Sequence, residues 1–225
     1  MSNLTLLIPA KKESESLPIF LEELNKYDFK KLIVLEEQDK ETINAIQPQD
    51  DLEIYYQKNN GYGSALIEGI NHITTKYFCI INADGSMNPN ELNNMFEIIN
   101  EDNDLVFASR YLKNAGSEDD DVITTFGNYF FSFLGKVLFN LKINDILYTY
   151  VMGNTDLVKN LNLSYKDFKI CVELPIKAHK TKLRYASIPS FERKRIGGKK
   201  KVNPFLDGLQ ILIAMCYLFS KKSYD

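Results

Sequence analysis

Short apolar runs alternate with longer mixed segments through the first half of the chain. Residues 4–8 (LTLLI), 32–35 (LIVL), 52–56 (LEIYY), 77–81 (YFCII) and 105–108 (LVFA) have the length and side-chain type of strands. The segments 16–27, 42–46, 62–73 and 90–99 between them read as helices, with Pro89 suited to the first turn of the last. This order predicts an α/β fold, a mainly parallel sheet flanked by helices on both faces. Binding groups then belong at the carboxyl ends of the strands, where 9–13, 36–38, 59–63, 82–86 and 109–111 fall.

The second half is less regular. An acidic loop, SEDDD at 117–121, precedes an aromatic helical run over 123–139; 145–152 reads as a turn and short strand, 168–179 as a helix and 183–188 as a last strand. FERKRIGGKKK at 191–201 then packs six cationic residues and two glycines into eleven positions. No proline- or glycine-rich linker divides the halves, so one domain over 1–204 is expected, followed by an apolar helix over 205–225.

Composition narrows this picture in three ways. A chain of 225 residues with net charge -3 has no overall attraction for nucleic acid. Cys79, Cys171 and Cys216 stand in no CxxC or metal-ligand pattern, which points to a reducing compartment and a cytoplasmic protein. The amino-terminal apolar run is short and followed by charge, as a first strand would be and a secretory signal would not. No run reaches membrane-spanning length; the nearest, 205–219, has nine unbroken apolar residues followed by Lys221 and Lys222. Three readings of it stay open: a helix packed on the domain, a homodimer contact, or a peripheral helix on the cytoplasmic face of a membrane.

The chemistry begins at IINADGSMNP, 80–89, where Asn82, Asp84 and Ser86 follow a strand. Side chains at alternate positions there suit a hard cation, Mg2+ or Mn2+, holding phosphate oxygens. The same ten residues also make an ordinary Asp-Gly turn. The lone GYG at 61–63 is neither a GxGxxG fingerprint nor a GxxxxGK[ST] loop; it is either a close backbone approach to a ligand or a plain turn. The cations of 193–201 read as a mobile lid for a diphosphate or as a solvated charge run. Glu173, amid apolar neighbours in FKICVELPIKAH, reads as a base or acceptor-binding group, or as a surface glutamate. His72 and His179 are isolated.

In this order the pieces resemble the family 2 glycosyltransferases of GT-A fold, within them the dolichyl-phosphate mannose synthase-like, or polyprenyl-phosphate sugar transferase, branch. IPAKKE resembles the opening P-x-x-N-E with Pro9, Glu13 and Lys12 in the asparagine position. VLEEQD supplies Glu36 and Glu37 for the D-D-G-S pair, and NNGYGSAL with Asn60 and Gly61 resembles the N-x-G turn. NADGS stands for D-A-D-x-S, so Asn82 replaces the first aspartate and Asp84 keeps the second. FASRY resembles G-S-R-Y with Arg110, DILYTYVMG resembles D-x-x-x-G-[FY]-R with Asp145, and FERKRIGGKKK resembles the closing E-R-x-x-G-x-S-K.

The resemblance implies an inverting transfer from a nucleotide-diphosphate sugar to a polyprenyl phosphate, in the manner of cell-envelope glycan synthesis. Asp84, with Asn82 and Ser86, would hold Mg2+ or Mn2+; Pro9, Glu13, Glu36, Glu37, Asn60 and Gly61 would line the nucleotide. Arg193, Arg195 and Lys200 would face the diphosphate and Arg110 the acceptor phosphate. A saccharide hydroxyl is the alternative acceptor, needing Glu173 or Asp145 as base, because the acidic loop 117–121 would repel a dianion if it faced the cleft. A non-catalytic nucleotide-sugar-binding scaffold is the remaining reading, motivated by the substitutions at Lys12, Glu36, Asn82, Met152 and Lys199.

Overall fold

The computed structural model describes residues 3–198 and 203–221. Five strands and four helices alternate first: β1 (Leu4–Pro9), α1 (Leu17–Leu24), β2 (Lys30–Leu35), α2 (Lys40–Ala45), β3 (Leu52–Tyr56), α3 (Tyr62–His72), β4 (Tyr77–Ile80), α4 (Glu91–Asn100) and β5 (Leu105–Ser109). The rest comprises β6 (Gly116–Ser117), α5 (Val122–Phe139), β7 (Val151–Asn154), α6 (Thr155–Lys159), α7 (Ile170–Lys180), β8 (Tyr185–Pro189), β9 (Phe191–Glu192) and α8 (Pro204–Ser220).

Seven strands form one sheet in the order β3-β2-β1-β4-β7-β5-β8. The pairs β1–β2, β1–β4, β2–β3 and β5–β8 are parallel; β7 alone runs against both of its neighbours. Because β7 is inserted antiparallel, the carboxyl ends of β4 and β5 stay on the same edge as those of β1 and β2. The α/β fold with helices on both faces is therefore as the alternation predicts.

Side chains alternate across β1. Leu4, Leu6 and Ile8 enter a core shared with Leu17, Phe20 and Leu21 of α1 and Leu92 and Met95 of α4. Leu7 points the other way, into a second core with Ala65, Leu66 and Ile70 of α3. A third cluster joins Phe131 and Phe139 of α5, Val172 and Ile176 of α7 and Met215 and Leu218 of α8, so the C-terminal helix is packed on the domain along one face. A small parallel pair, β6 with β9, sets Gly116 opposite Phe191 and Ser117 opposite Glu192, tying the acidic loop to the cationic one. Two-residue strands carry no periodicity, which is why the sequence pattern misses them.

Candidate active site

The turn after β4 is the centre of the site. Asp84 Oδ1 accepts from Ser86 N–H at 3.1 Å and Ser86 Oγ at 2.9 Å. Its other oxygen lies 3.5 Å from Arg195 Nη1. The segment 193–198 crosses this turn, with Arg193 N–H donating to Ser86 O at 2.8 Å and Ile196 N–H to Asp84 O at 2.9 Å. Gly85 permits the crossing: its φ is +73°, and a Cβ there would stand 2.4 Å from Ile196 Cδ1. Farther along, Gly197 and Gly198 pass beside Glu15 and Glu13. The loop thus links the ends of β1 and β4.

Arg195 bridges two carboxylates, because its Nε and Nη2 also donate to Asp119 at 3.2 and 2.9 Å. Arg193 does something different from the expected diphosphate contact. Its guanidinium grips Glu23 of α1 and the Gly85 carbonyl at 2.7 to 3.0 Å, bracing the loop against the domain. Lys200 lies outside the described residues.

Around β1 and β2 the expected nucleotide-lining residues sit as follows. Pro9 is buried at the end of β1 opposite Val34. Glu13 is 5% exposed; its carboxylate accepts from Ser16 Oγ at 2.6 Å, and its N–H donates to Thr42 at 2.9 Å. Glu36 accepts from Lys11 at 2.8 Å, and Glu37 is exposed just past β2. Lys12, in the family's asparagine position, has a φ of +53°, a left-handed conformation that asparagine tolerates better than lysine. Asp39, overlooked in the sequence, accepts from Lys12 N–H at 2.6 Å and caps α2.

Asn60 is exposed and Gly61 caps α3, but the glycine turn makes room for the protein itself. A Cβ on Gly61 would lie 2.1 Å from Lys166 O, and one on Gly63 2.1 Å from Tyr165 O. That corrects the expectation of a backbone approach to a ligand. Tyr62 between them reaches the site instead, its hydroxyl 3.0 Å from Asn82 Oδ1 and 2.6 Å from Thr149 Oγ1. Burial raises the Tyr62 phenol's pKa, so it stays protonated, and the bond to Asn82 is one it donates.

Arg110, expected at the acceptor phosphate, is the centre of a carboxylate cluster. Its Nε and Nη2 fork onto Asp145 at 2.7 and 2.9 Å, while Nη1 donates to Asp120 and Glu192, each at 3.0 Å. Burial by itself would lower the guanidinium's pKa; Asp145, Glu192 and Asp120 more than offset that and hold it well above the ordinary value. Burial also raises Glu192, which Arg110 and Ser117 only partly pull back. The acidic loop therefore does face the cleft, with Asp119 on Arg195 and Asp120 on Arg110.

Two expected bases are corrected by this geometry. Asp145 is fully buried and spent on Arg110, including its backbone N–H at 3.1 Å. Glu173 is also fully buried, accepting from Ser164 N–H and Oγ and from Tyr165 N–H and pairing with Lys177 at 2.9 Å. It organises the 164–166 turn against α7, and no oxygen of it is left for an acceptor. The side chains of this candidate site that sequence reasoning passed over are Asp119, Asp120, Glu192 and Tyr62. Each lay inside a quoted motif or loop, but only their pairing marks them.

The donors at Asp84 suit a hard cation of limited demand. One carboxylate, with the Ser86 hydroxyl and Asn82 amide beside it, is what a Mg2+-like ion uses when substrate phosphates and water supply its remaining ligands. Among the described residues no three His, Cys, Asp or Glu side chains converge as a self-sufficient metal site.

Comparison with known proteins agrees with this arrangement of strands and turns. Uncharacterized glycosyltransferases of Mycobacterium tuberculosis and Mycobacterium bovis are each 25% identical over 209 residues, covering 93% of this chain and 94% of theirs. Among solved structures, glucosyl-3-phosphoglycerate synthase from Mycobacterium tuberculosis in complex with Mn2+, UDP and phosphoglyceric acid superposes with a TM-score of 0.71 at 12% identity, covering 98% of this chain and 79% of that one. The same enzyme with Mg2+ and UDP gives 0.69 at 12% identity, over 98% and 80%. The family model described as glycosyl transferase family 2 matches residues 5–161, so this chain belongs to that family and is a glycosyltransferase of GT-A fold.

Proposed function

We propose that the cleft transfers a sugar, with inversion, from a nucleoside-diphosphate sugar to a hydroxyl acceptor. The donor reading rests on the convergence of Glu13, Asp84 and the 193–198 loop on one edge of the sheet, and is supported by the UDP and UDP-glucose complexes of the structural neighbours. Arg195, already against Asp84, is the side chain that meets the diphosphate. Tyr62 fixes Asn82, and Arg193 fixes the turn below. A divalent cation held by Asp84 with Asn82 and Ser86 would neutralise charge gathering on the leaving diphosphate.

The observation that carries the acceptor reading is the sealing of Arg110 by three carboxylates. A phosphate entering there would have to displace them. A hydroxyl needs a base instead, and Asp119, held like Asp145 by an arginine, would take that part only once Arg195 turns from it to the donor diphosphate. The polyprenyl phosphate remains the second reading, favoured by the apolar surface of α5 and α8.

A transfer assay with a short-chain prenyl phosphate and a panel of simple sugars, run on wild type and Asp119→Asn, separates the two. The proposal expects transfer to a sugar along an acid limb of the pH profile, reduced roughly a hundredfold or more in the variant. Turnover of the prenyl phosphate alone, unchanged by the substitution, would replace it with the lipid-phosphate reading.

A further inference from the structure

Helix α5 is apolar on both of its faces, with Phe131 and Phe139 in the core. Along α5, Ile123, Phe126, Phe130, Phe133 and Val137 are exposed. Two of its polar side chains turn inward, Asn128 Nδ2 donating to Asp120 and Tyr111, and Ser132 Oγ accepting from Ile146 N–H. No charged residue occurs from Val122 to Gly135. Helix α8 lies alongside, with Gly208 next to the Phe131 ring and Phe219 5.8 Å from Phe139, so the two helices run in the same direction. It adds exposed Phe205, Leu206, Leu209, Ile213 and Tyr217.

At the carboxyl end of this double ridge lies an open cavity of about 600 Å3. Leu138, Phe139, Leu183 and Phe219 form its apolar walls, and His179, Lys180 and Lys182 form its rim. Lys180 Nζ lies 5.6 Å from the Phe139 ring and donates to Leu218 O and Lys221 O at 2.6 and 2.8 Å, so it ties the carboxyl end of α8 to the rim, and Lys182 is the rim's exposed cation. An apolar hollow rimmed by cations, continuous with an aromatic ridge, matches an amphiphile with an anionic head.

We propose that this face docks on an anionic lipid leaflet, with α5 and α8 lying in the interfacial plane and the Lys180–Lys182 rim against phosphate-bearing head groups. Against the expectation that no run reaches spanning length and that 205–219 comes nearest, α5 is by length and composition long and apolar enough to cross a bilayer. However, Asn128, Ser132, Phe131 and Phe139 fasten its inner side to the domain, so it lies on the membrane. The hollow favours lipid over a second copy, because its apolar walls and cationic rim take an acyl chain and a phosphate head together. Exposed Glu118 and Asp121 lie at the ridge's other end, so head-group contact belongs to the rim. Asp121 caps α5, and the Tyr111 and Tyr129 rings lie 4.3 Å apart, so docking sets the acceptor end of the cleft beside the lipid surface whatever the acceptor is.

The full chain is to be floated with vesicles of phosphatidylcholine alone and of phosphatidylcholine with phosphatidylglycerol, at low and physiological salt. The expected result is co-flotation with the anionic vesicles that weakens with salt. Phe126→Asp with Phe133→Asp should cut it roughly tenfold or more, and Lys182→Glu should remove most of the salt-sensitive part. Circular dichroism melting of both variants checks that they fold. Absence of flotation on anionic vesicles at low salt, or binding unchanged in both variants, would overturn the proposal. A wild-type dimer in sedimentation that the double aspartate variant splits, without vesicle binding, would also overturn it by assigning the face to a second copy.

Discussion

Removing the Arg110 guanidinium would leave Asp145, Asp120 and Glu192 facing one another with no counter-charge in a buried pocket. Arg110→Ala is therefore expected to cost about 3–5 kcal/mol of stability in urea unfolding, a structural loss felt before any acceptor is added. Glu192 gives the same cluster a pH signature. Its folded pKa is raised by burial, so the folded state holds its proton more tightly than the unfolded state does. Its contribution is fully present below the unfolded carboxyl's pKa and is lost as pH rises through the raised one. Glu192→Gln should flatten that fall in an unfolding series across the acid range. At Glu173 the expectation is separable: Glu173→Gln breaks the pair with Lys177 and costs about 1–3 kcal/mol, while turnover per folded molecule is retained. A large loss of turnover in a fully folded Glu173→Gln protein would restore the catalytic role that its burial denies.

The cationic loop works as one element with the turn it covers. Two backbone bonds and Arg193 hold it on the β4 turn, and Gly85 gives it room. Gly85→Ala puts a Cβ into Ile196 at a positive φ, so it should lift the loop and weaken nucleotide binding roughly tenfold while melting changes by only a few degrees. Calorimetry on the variant checks this. The regular elements were legible because burial on both faces of a sheet writes itself as apolar runs spaced by helices, as in 4–8, 77–81 and 105–108. The direction of β7 was not, since VMGN reads the same whichever way it runs. Nor was the apolar outer face of α5, where a run of aromatics reads as core but Phe126, Phe130 and Phe133 stay exposed.

At the scale of the whole molecule, the proposal puts the nucleotide around Glu13 and Asp84 and the acceptor towards Arg110, with Arg195 and Asp119 between them. That the ends of β1, β2, β4 and β5 share one edge could be read from the sequence, because a parallel topology gathers them there. Which charges are spent on each other could not. Asp145 and Arg110 are 35 residues apart and Arg110 and Glu192 82 apart, so nothing local announces the pairing. The central claim is that a nucleoside diphosphate binds against Asp84 beneath the 193–198 loop. Its most direct test is calorimetric titration with UDP, GDP and CDP, with and without Mn2+, on wild type and Asp84→Ala. At least one nucleotide should bind wild type, more tightly with Mn2+, and the variant should lose roughly tenfold or more of that affinity. Absence of binding by all three at millimolar concentration, or equal affinity in the two proteins, would contradict it.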